Sequence, residues 1–339
     1  MINLKDVKDV HLELTTLCNA RCPLCVRNAN GYPHNFGYPE VSMTLEQVKQ
    51  IFQPDFVKQL STMSICGNYG DFVANREALE IIDYFGTTNP QLRMAISTNG
   101  GARSAEFWKK LANYNTQVYF CIDGLEDTHS IYRIDTVFSK VVKNATAFIN
   151  AGGHAIWKMI MFEHNKHQVD QCIQLSKELG FADFNLTDHG RSTGAVFDKQ
   201  GEYQHHIGPG TGSKFSIESV IQWHQRPEFE YPEPKQELNC YSNNSKSIYV
   251  AANGEVSPCC YLGFYPKTFE NGTHFSKINA QLADLLQGKE NNALLVGLDA
   301  SIEWFNSIEQ RWSIEEYKSG RLLGCDEHCG SNKYINQLL

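Results

Sequence analysis

Between residues 10 and 187 short apolar runs alternate with helical periods, a pattern that few folds satisfy. The runs lie at 10–15, 62–65, 93–97, 117–122, 155–162 and 183–187, and they are rich in Val, Ile, Phe and Tyr or continuously apolar, as strands buried on both faces are. Helical stripes fill the intervals. Thr44-Leu45-Glu46-Gln47 has capping-box spacing ahead of Leu45, Val48 and Phe52. Further stripes come from Leu79, Ile82 and Phe85, from Phe107 and Leu111, and from Val141, Ala145, Phe148 and Ile149. That last helix stops at Gly152-Gly153, and the next, carrying Val169, Ile173 and Leu179, stops at Gly180. Six strands alternating with five helices predict parallel β/α units joined by right-handed crossovers. The class is α/β, and the expected architecture is a partial (β/α)6 barrel of TIM type with its chemistry at the C-terminal edge of the strands. A doubly wound open sheet is the competing arrangement.

After Asp188 the alternation dissolves. Gly and Pro recur through 190–237, which reads as a long loop holding one short helix at 216–225. Two β-prone arms between Ser247 and Cys260 then flank Asn253-Gly254, a hairpin turn signal. The expected division is a barrel over 1–190, a linker on the substrate side over 191–237, and a second domain over 238–339.

Lys and Arg total 30 against 38 for Asp and Glu, a net charge of -8, so the surface lacks the basic footprint that nucleic acid or anionic lipid requires. No run is long enough to span a membrane, and the longest, 155–162, is interrupted by Lys158. Met1-Ile2-Asn3-Leu4-Lys5-Asp6 has no export signal, which predicts a cytoplasmic protein. In a reducing compartment eleven cysteines point to metal or redox chemistry rather than a disulfide framework.

Cys18-Asn19-Ala20-Arg21-Cys22-Pro23-Leu24-Cys25 follows the first strand directly. Three thiolates on one loop hold three corners of a cubane iron–sulfur cluster and leave the fourth iron open to a small molecule. A structural zinc site needs a fourth protein ligand, which would have to be His11, His34 or a distant cysteine.

This C-x3-C-x2-C loop after strand one resembles the signature of the radical S-adenosylmethionine superfamily. The resemblance implies a 4Fe–4S cluster on Cys18, Cys22 and Cys25 that chelates S-adenosylmethionine and cleaves it reductively to a 5′-deoxyadenosyl radical, which takes a hydrogen atom from substrate. It also implies further contacts at the strand ends. Gly67-Asn68-Tyr69-Gly70-Asp71 stands where relatives place Gly-Gly-Glu against the methionyl ammonium. Ser97-Thr98-Asn99-Gly100 is similar to the family's Thr-Asn-Gly, so Ser97 and Asn99 are candidate cofactor contacts. Cys121-Ile122-Asp123-Gly124 is similar to its Ser-Ile-Asp-Gly, with Cys121 in place of the serine. Asp123 joins that set, Arg133 offers a cation for the cofactor carboxylate, and Leu24 matches the position that packs on adenine.

Cys240, then Gly254 with four residues before Cys259, then Cys325 and Cys329, resemble the SPASM and twitch extensions of that superfamily. Too few cysteines remain for two extra clusters, so the expectation is a twitch, or half-SPASM, domain with one auxiliary 4Fe–4S cluster on Cys240, Cys259, Cys325 and Cys329. Cys260 and His328 stand as alternative ligands, and zinc on the same thiols is the bland alternative. Cys66 and Cys172 read as core residues, and Trp157, Trp223, Trp304 and Trp312 as packing.

The implied activity is a radical oxidoreductase fed by an electron donor such as flavodoxin or ferredoxin. An auxiliary cluster would accept the electron left on substrate while a base, Asp188 or His189 after strand six, removes the proton. With the first strand starting so close to Met1 there is no room for a leading peptide-binding domain, which favours a small polar metabolite such as a sugar or aminocyclitol. Modification of a ribosomal peptide by crosslinking, oxidation or epimerisation is the alternative, with Cys260 as hydrogen donor in the last case. A zinc-stabilised binding protein is the alternative outside the enzymes.

Overall fold

The computed structural model describes all residues except 1, 36, 189–193, 209–215, 225–237, 264–280, 282–283, 287 and 330–339. Six strands carry the first half: β1 (Asp9–Leu12), β2 (Thr62–Ile65), β3 (Arg93–Thr98), β4 (Thr116–Cys121), β5 (His154–Met161) and β6 (Asp183–Asp188). Between them run α1 (Leu45–Ile51), α2 (Pro54–Gln59), α3 (Ala78–Thr88), α4 (Ala105–Leu111), α5 (His129–Tyr132), α6 (Phe138–Asn150) and α7 (Val169–Glu178). The strands pair in parallel and in sequence order from β1 to β6, as right-handed β/α units require. The partial barrel is therefore present. The predicted strand limits hold within about a residue, except that β1 ends early. Thr15 and Thr16 leave the ladder there to meet Val41, Ser42 and Pro39. Thr44 caps α1 in a capping box with Gln47.

Two expectations need correction. Not all the strands are buried on both faces: β1 and β2 alternate between half-buried and buried residues, and so does β4, whereas β5 is largely buried on both. Val10, Leu12, Met63, Ile65, Met94, Ile96, Val118 and Phe120 face the helices and are almost fully buried. The opposite, lumen-side face is half-buried and carries His11, Ser64, Cys66, Gln117, Tyr119 and Cys121. Cys66 is thus a lumen residue rather than a core residue, whereas Cys172 is buried on α7 as expected. The second correction concerns 191–237, which is not only a linker. It contains an antiparallel hairpin of β7 (Gly194–Phe197) and β8 (Tyr203–Ile207). Val196 and Ile207 pack with Tyr132, Ile160 and Phe162 at the mouth of the barrel. The helix Ile217–His224 follows near its expected place.

The second domain is built onto the first. Strand β9 (Ser247–Val250) runs parallel to β1, with Asp9 opposite Ser247 and Leu12 opposite Val250, and β10 (Val256–Ser257) returns antiparallel to it. Their turn passes through Gly254, whose φ of +89° suits glycine. The sheet order is β10-β9-β1-β2-β3-β4-β5-β6, so β1 is an interior strand. Ile248, Val250, Leu298, Trp304 and Leu323 share one hydrophobic cluster with the barrel's Val10 and Leu12. No helix of the described residues is long and apolar enough to cross a membrane.

Trp157 lies at the centre of the barrel core, fully buried, with its Nε1 donating to the Ile122 carbonyl at 2.9 Å. Trp157→Ala removes this packing and leaves that carbonyl unpaired. A loss of about 3–5 kcal/mol in anaerobic denaturant unfolding is expected. A loss below about 1 kcal/mol, the range of a surface change, would contradict the packing described.

Candidate active site and cluster centres

The first cysteine group stands on the loop that leaves β1. Arg21 holds this loop through its backbone N–H to Ile134 (3.0 Å), an ion pair with Asp135 (3.0 Å) and a bond to the Gly31 carbonyl. Asn28 donates to the Cys22 carbonyl and accepts from Gly31 N–H. Cys18, Cys22 and Cys25 are free and half-buried. Two of their sulfurs receive donors. Cys18 accepts from Ala20 N–H at 3.4 Å and Asn99 Nδ2 at 3.7 Å, and Cys22 accepts from Arg133 Nη1 at 3.7 Å. Burial pushes the Cys22 thiol up to about 11 against the pull of Arg133, and burial with the nearby Asp71 charge pushes Cys18 up as well. Protonated thiols in such a place gain by surrendering their protons to a metal. Among the described residues no three Cys, His, Asp or Glu side chains converge closely enough for a single ion. The donor set fits a cubane cluster with one open iron.

The loop after β2 approaches β1 so closely that only glycine fits at two points. A Cβ on Gly70 would lie 1.7 Å from the Thr15 carbonyl oxygen, and one on Gly67 would lie 2.5 Å from Glu13 Oε1. Asp71 N–H donates to the Leu17 carbonyl at 2.9 Å, which ties this turn to the cysteine loop. The buried Asp71 carboxylate accepts from Thr98 Oγ1, Asn99 N–H, Asn99 Nδ2 and Val73 N–H. Its task is to clamp the end of β3 beneath the loop. Burial raises its pKa, and these hydrogen bonds work against the rise. Asn99 also exchanges hydrogen bonds with Asn19 at 3.1 and 3.2 Å, and Ser97 faces the lumen one row below.

Asp123 is fully buried and bonded on both oxygens, to Arg133 Nε at 2.5 Å and Ile160 N–H at 2.6 Å. Arg133 therefore belongs to a buried pair that reaches toward Cys22, and its Nη2 has no partner among the described residues. His129 fixes the same corner. Its Nδ1 accepts from Asp123 N–H at 3.2 Å and its Nε2 meets Thr136 Oγ1 at 2.9 Å, which assigns the proton to Nε2. Leu24 packs with Ile160, Phe162 and Val196 beside the loop. Cys121 faces the lumen opposite Lys158 in the β4–β5 register, and Lys158 Nζ stands 5.9 Å from the Tyr119 ring centre. Asp188 ends β6 at the same edge, although its side chain, like the whole of His189, lies outside the described part.

The second cysteine group assembles behind β9. Cys240 begins the helix Tyr241–Ser245, and its thiol is lowered by a hydrogen bond from Cys329. Cys329 also feels Cys259 and Cys325, and burial raises the thiols of both. The four assigned thiols are thus close enough to act on one another's charge, although no three of them converge on one point within reach of a single ion. Cys260 interacts instead with Cys66 and Glu13. The His328 side chain lies outside the described part. Two supports escaped the sequence reading. Ser242 Oγ bonds the Ser247 and Pro258 carbonyls, tying the Cys240 helix to the Cys259 segment. The Arg321 guanidinium grips Asp326 at 2.5 and 2.9 Å and the Trp312 and Ile314 carbonyls, fixing the helix Leu323–His328 that carries Cys325.

Burial holds His129 neutral, with its pKa pushed down to about 4. As pH falls below about 6.5 the unfolded chain binds the proton first, so stability is lost down to pH 4 at up to about 1.4 kcal/mol per pH unit. His129→Asn keeps an acceptor for Asp123 N–H and removes the titration. Its stability, measured from pH 7 to 4, should fall less steeply than wild type, and parallel slopes would refute this assignment.

Residues 12–183 match the family model described as the radical SAM superfamily, and residues 240–318 match an iron–sulfur cluster-binding domain model, SPASM. No curated protein matches the sequence. Among solved structures, Streptococcus suis SuiB bound to S-adenosylmethionine aligns over 80% of this chain at 12% identity with a TM-score of 0.52. The chain spans only 64% of SuiB's length. Histidine-tagged anSMEcpe with bound AdoMet aligns over 95% of this chain and 85% of its own, at 14% identity and a TM-score of 0.51. At these identities the likeness is one of fold. With the model spanning the barrel and the cysteine loop at its mouth, the chain belongs to the radical SAM superfamily and carries a SPASM-type cluster-binding domain.

Proposed function

We propose that this chain is a radical S-adenosylmethionine oxidoreductase that dehydrogenates a small polar metabolite of the sugar type. The carrying observation is the position of Cys18, Cys22 and Cys25 at the C-terminal edge of a sheet whose lumen face is polar. When bound, the clusters would supply the electron that cleaves S-adenosylmethionine to the 5′-deoxyadenosyl radical and, at the auxiliary site of Cys240, Cys259, Cys325 and Cys329, an acceptor for the electron left on substrate.

The chain's own groups then divide the work. The close-packed turn from Gly67 to Gly70 presents backbone carbonyls to the methionyl ammonium. Arg133, anchored by Asp123, offers Nη2 to the carboxylate. Leu24 and its apolar neighbours at the mouth take the adenine. Asn99 holds Cys18 rather than reaching outward. The lumen beneath is lined by Gln117, Tyr119, Cys121 and Lys158 from β4 and β5, a surface that suits hydroxyl and carboxyl groups better than an apolar chain. Asp188, at the end of β6, is the base assigned to the departing proton, with His189 next in sequence as its alternate. The four thiols that act on one another support the reading of one auxiliary cluster.

A second reading, modification of a peptide, draws on SuiB, which shares this fold at a TM-score of 0.50 in a structure bound to its precursor peptide SuiA.

Iron content after anaerobic reconstitution separates the outcomes. About eight irons per chain are expected, falling to about four in a Cys18/Cys22/Cys25→Ala variant with loss of dithionite-driven 5′-deoxyadenosine formation. About four falling to none would remove the auxiliary cluster and the dehydrogenation with it. Zinc in place of iron, with no cleavage, would overturn the enzyme reading.

A further inference from the structure

We infer that Glu13 is a positioning residue through which the C-terminal hairpin sets the shape of the turn at 67–71, and thereby the affinity for S-adenosylmethionine. The inference rests on the reading that this turn receives the methionyl group.

Glu13 follows β1 and is fully buried. Its Oε1 accepts from Tyr69 N–H at 2.8 Å and Gly70 N–H at 3.1 Å, and its Oε2 accepts from the Tyr249 hydroxyl at 2.7 Å. A carboxylate is costly to bury unless donors surround it, so these bonds hold strongly. A planar peptide points its C=O opposite its N–H. Fixing where the Tyr69 and Gly70 N–H groups point therefore fixes where the Asn68 and Tyr69 carbonyls point; the Tyr69 carbonyl also accepts from Arg27 Nη1 at 3.5 Å, which leaves the Asn68 carbonyl and the second lone pair of Tyr69 for the ammonium. The glycines add no slack, because Glu13 Oε1 and the Thr15 carbonyl already occupy the space a Cβ would need.

The other end of this contact lies in the auxiliary domain. Tyr249 belongs to β9, opposite His11 in the parallel register. Its ring meets the His11 ring edge-on at 5.0 Å, and His11 Nε2 donates to the Cys66 carbonyl at 2.6 Å, just before the turn. Asn68 Nδ2 donates to the Cys260 carbonyl at 2.9 Å, beside the auxiliary ligand Cys259. The turn is thus held by the segment that bears the second cysteine group. Whatever orders that segment favours the binding-competent turn, and by linkage cofactor binding favours the ordered segment.

The test uses the reconstituted holoenzyme and S-adenosylmethionine itself, with Kd from equilibrium dialysis and with KM and kcat from dithionite-driven cleavage. Tyr249→Phe should raise Kd and KM roughly tenfold, as loss of a bond to a charged group does, with iron content and kcat retained. Glu13→Ala should exceed this. Glu13→Gln should restore most of the affinity, because its amide oxygen still accepts both N–H groups and its amide nitrogen donates to Tyr249. Should Glu13→Ala lose iron, the comparison rests on Tyr249→Phe and Glu13→Gln. Wild-type protein that binds S-adenosylmethionine with a Kd unmoved by Tyr249→Phe overturns this inference alone. Wild-type protein that does not bind it overturns the functional reading as well.

Discussion

Strand β1 is hydrogen-bonded on both sides, to β2 and to β9, and the candidate site hangs from its C-terminal end. Parallel pairing brings the ends of β1, β2 and β9 to one edge, because neighbours in register finish together. The cysteine loop leaves from that edge, the turn at 67–71 folds over it, and Tyr249 arrives beside it from a segment more than two hundred residues away in sequence. An edge strand in this position would leave the auxiliary cysteines without a fixed relation to the first three. Glu13 exploits the interior position, since only a residue between two strands can bond donors from both.

Around this edge the charged side chains are spent on structure. Asp71 is saturated by donors from the end of β3 and its own loop and Asp123 by Arg133 and Ile160 N–H, and in the second domain Arg321 does the same for Asp326. Such pairs contribute little net stability relative to apolar packing, but each fixes a loop in one arrangement. That is what an open iron site asks of its surroundings: ligands and cofactor contacts must stand in place before anything binds. Asp71 holds Asn99 in this way, and Asp123 holds Arg133.

The barrel is legible in the alternation of short apolar runs with helical stripes, although in most strands only the face marked by Val10, Ile65, Ile96 and Phe120 is fully buried against helices. The cysteine loop was legible because spacing alone carries its chemistry. The β7–β8 hairpin is hidden because β8, Tyr203-Gln204-His205-His206-Ile207, is polar and fully buried only at Ile207, which leaves the short apolar run of β7 without a recognisable partner strand. Glu13 gave no signal either. A lone acid within Leu12-Glu13-Leu14 reads as a solvent-facing alternation, and only the fold shows that its partners are backbone N–H groups fifty-six and fifty-seven residues onward and a tyrosine in another domain. Cys66 departs from its reading as core because it follows the alternation of β2 onto the half-buried inner face of the sheet.

The most direct test of the central claim, that the loop after β1 binds S-adenosylmethionine through an open iron, is electron paramagnetic resonance of the reduced, reconstituted protein with and without that cofactor. A signal that shifts on its addition in the wild type, and is missing in Cys22→Ser while a cofactor-insensitive signal remains, is the predicted result. A cofactor-sensitive signal that survives Cys22→Ser, or a wild-type spectrum indifferent to the cofactor, would contradict it.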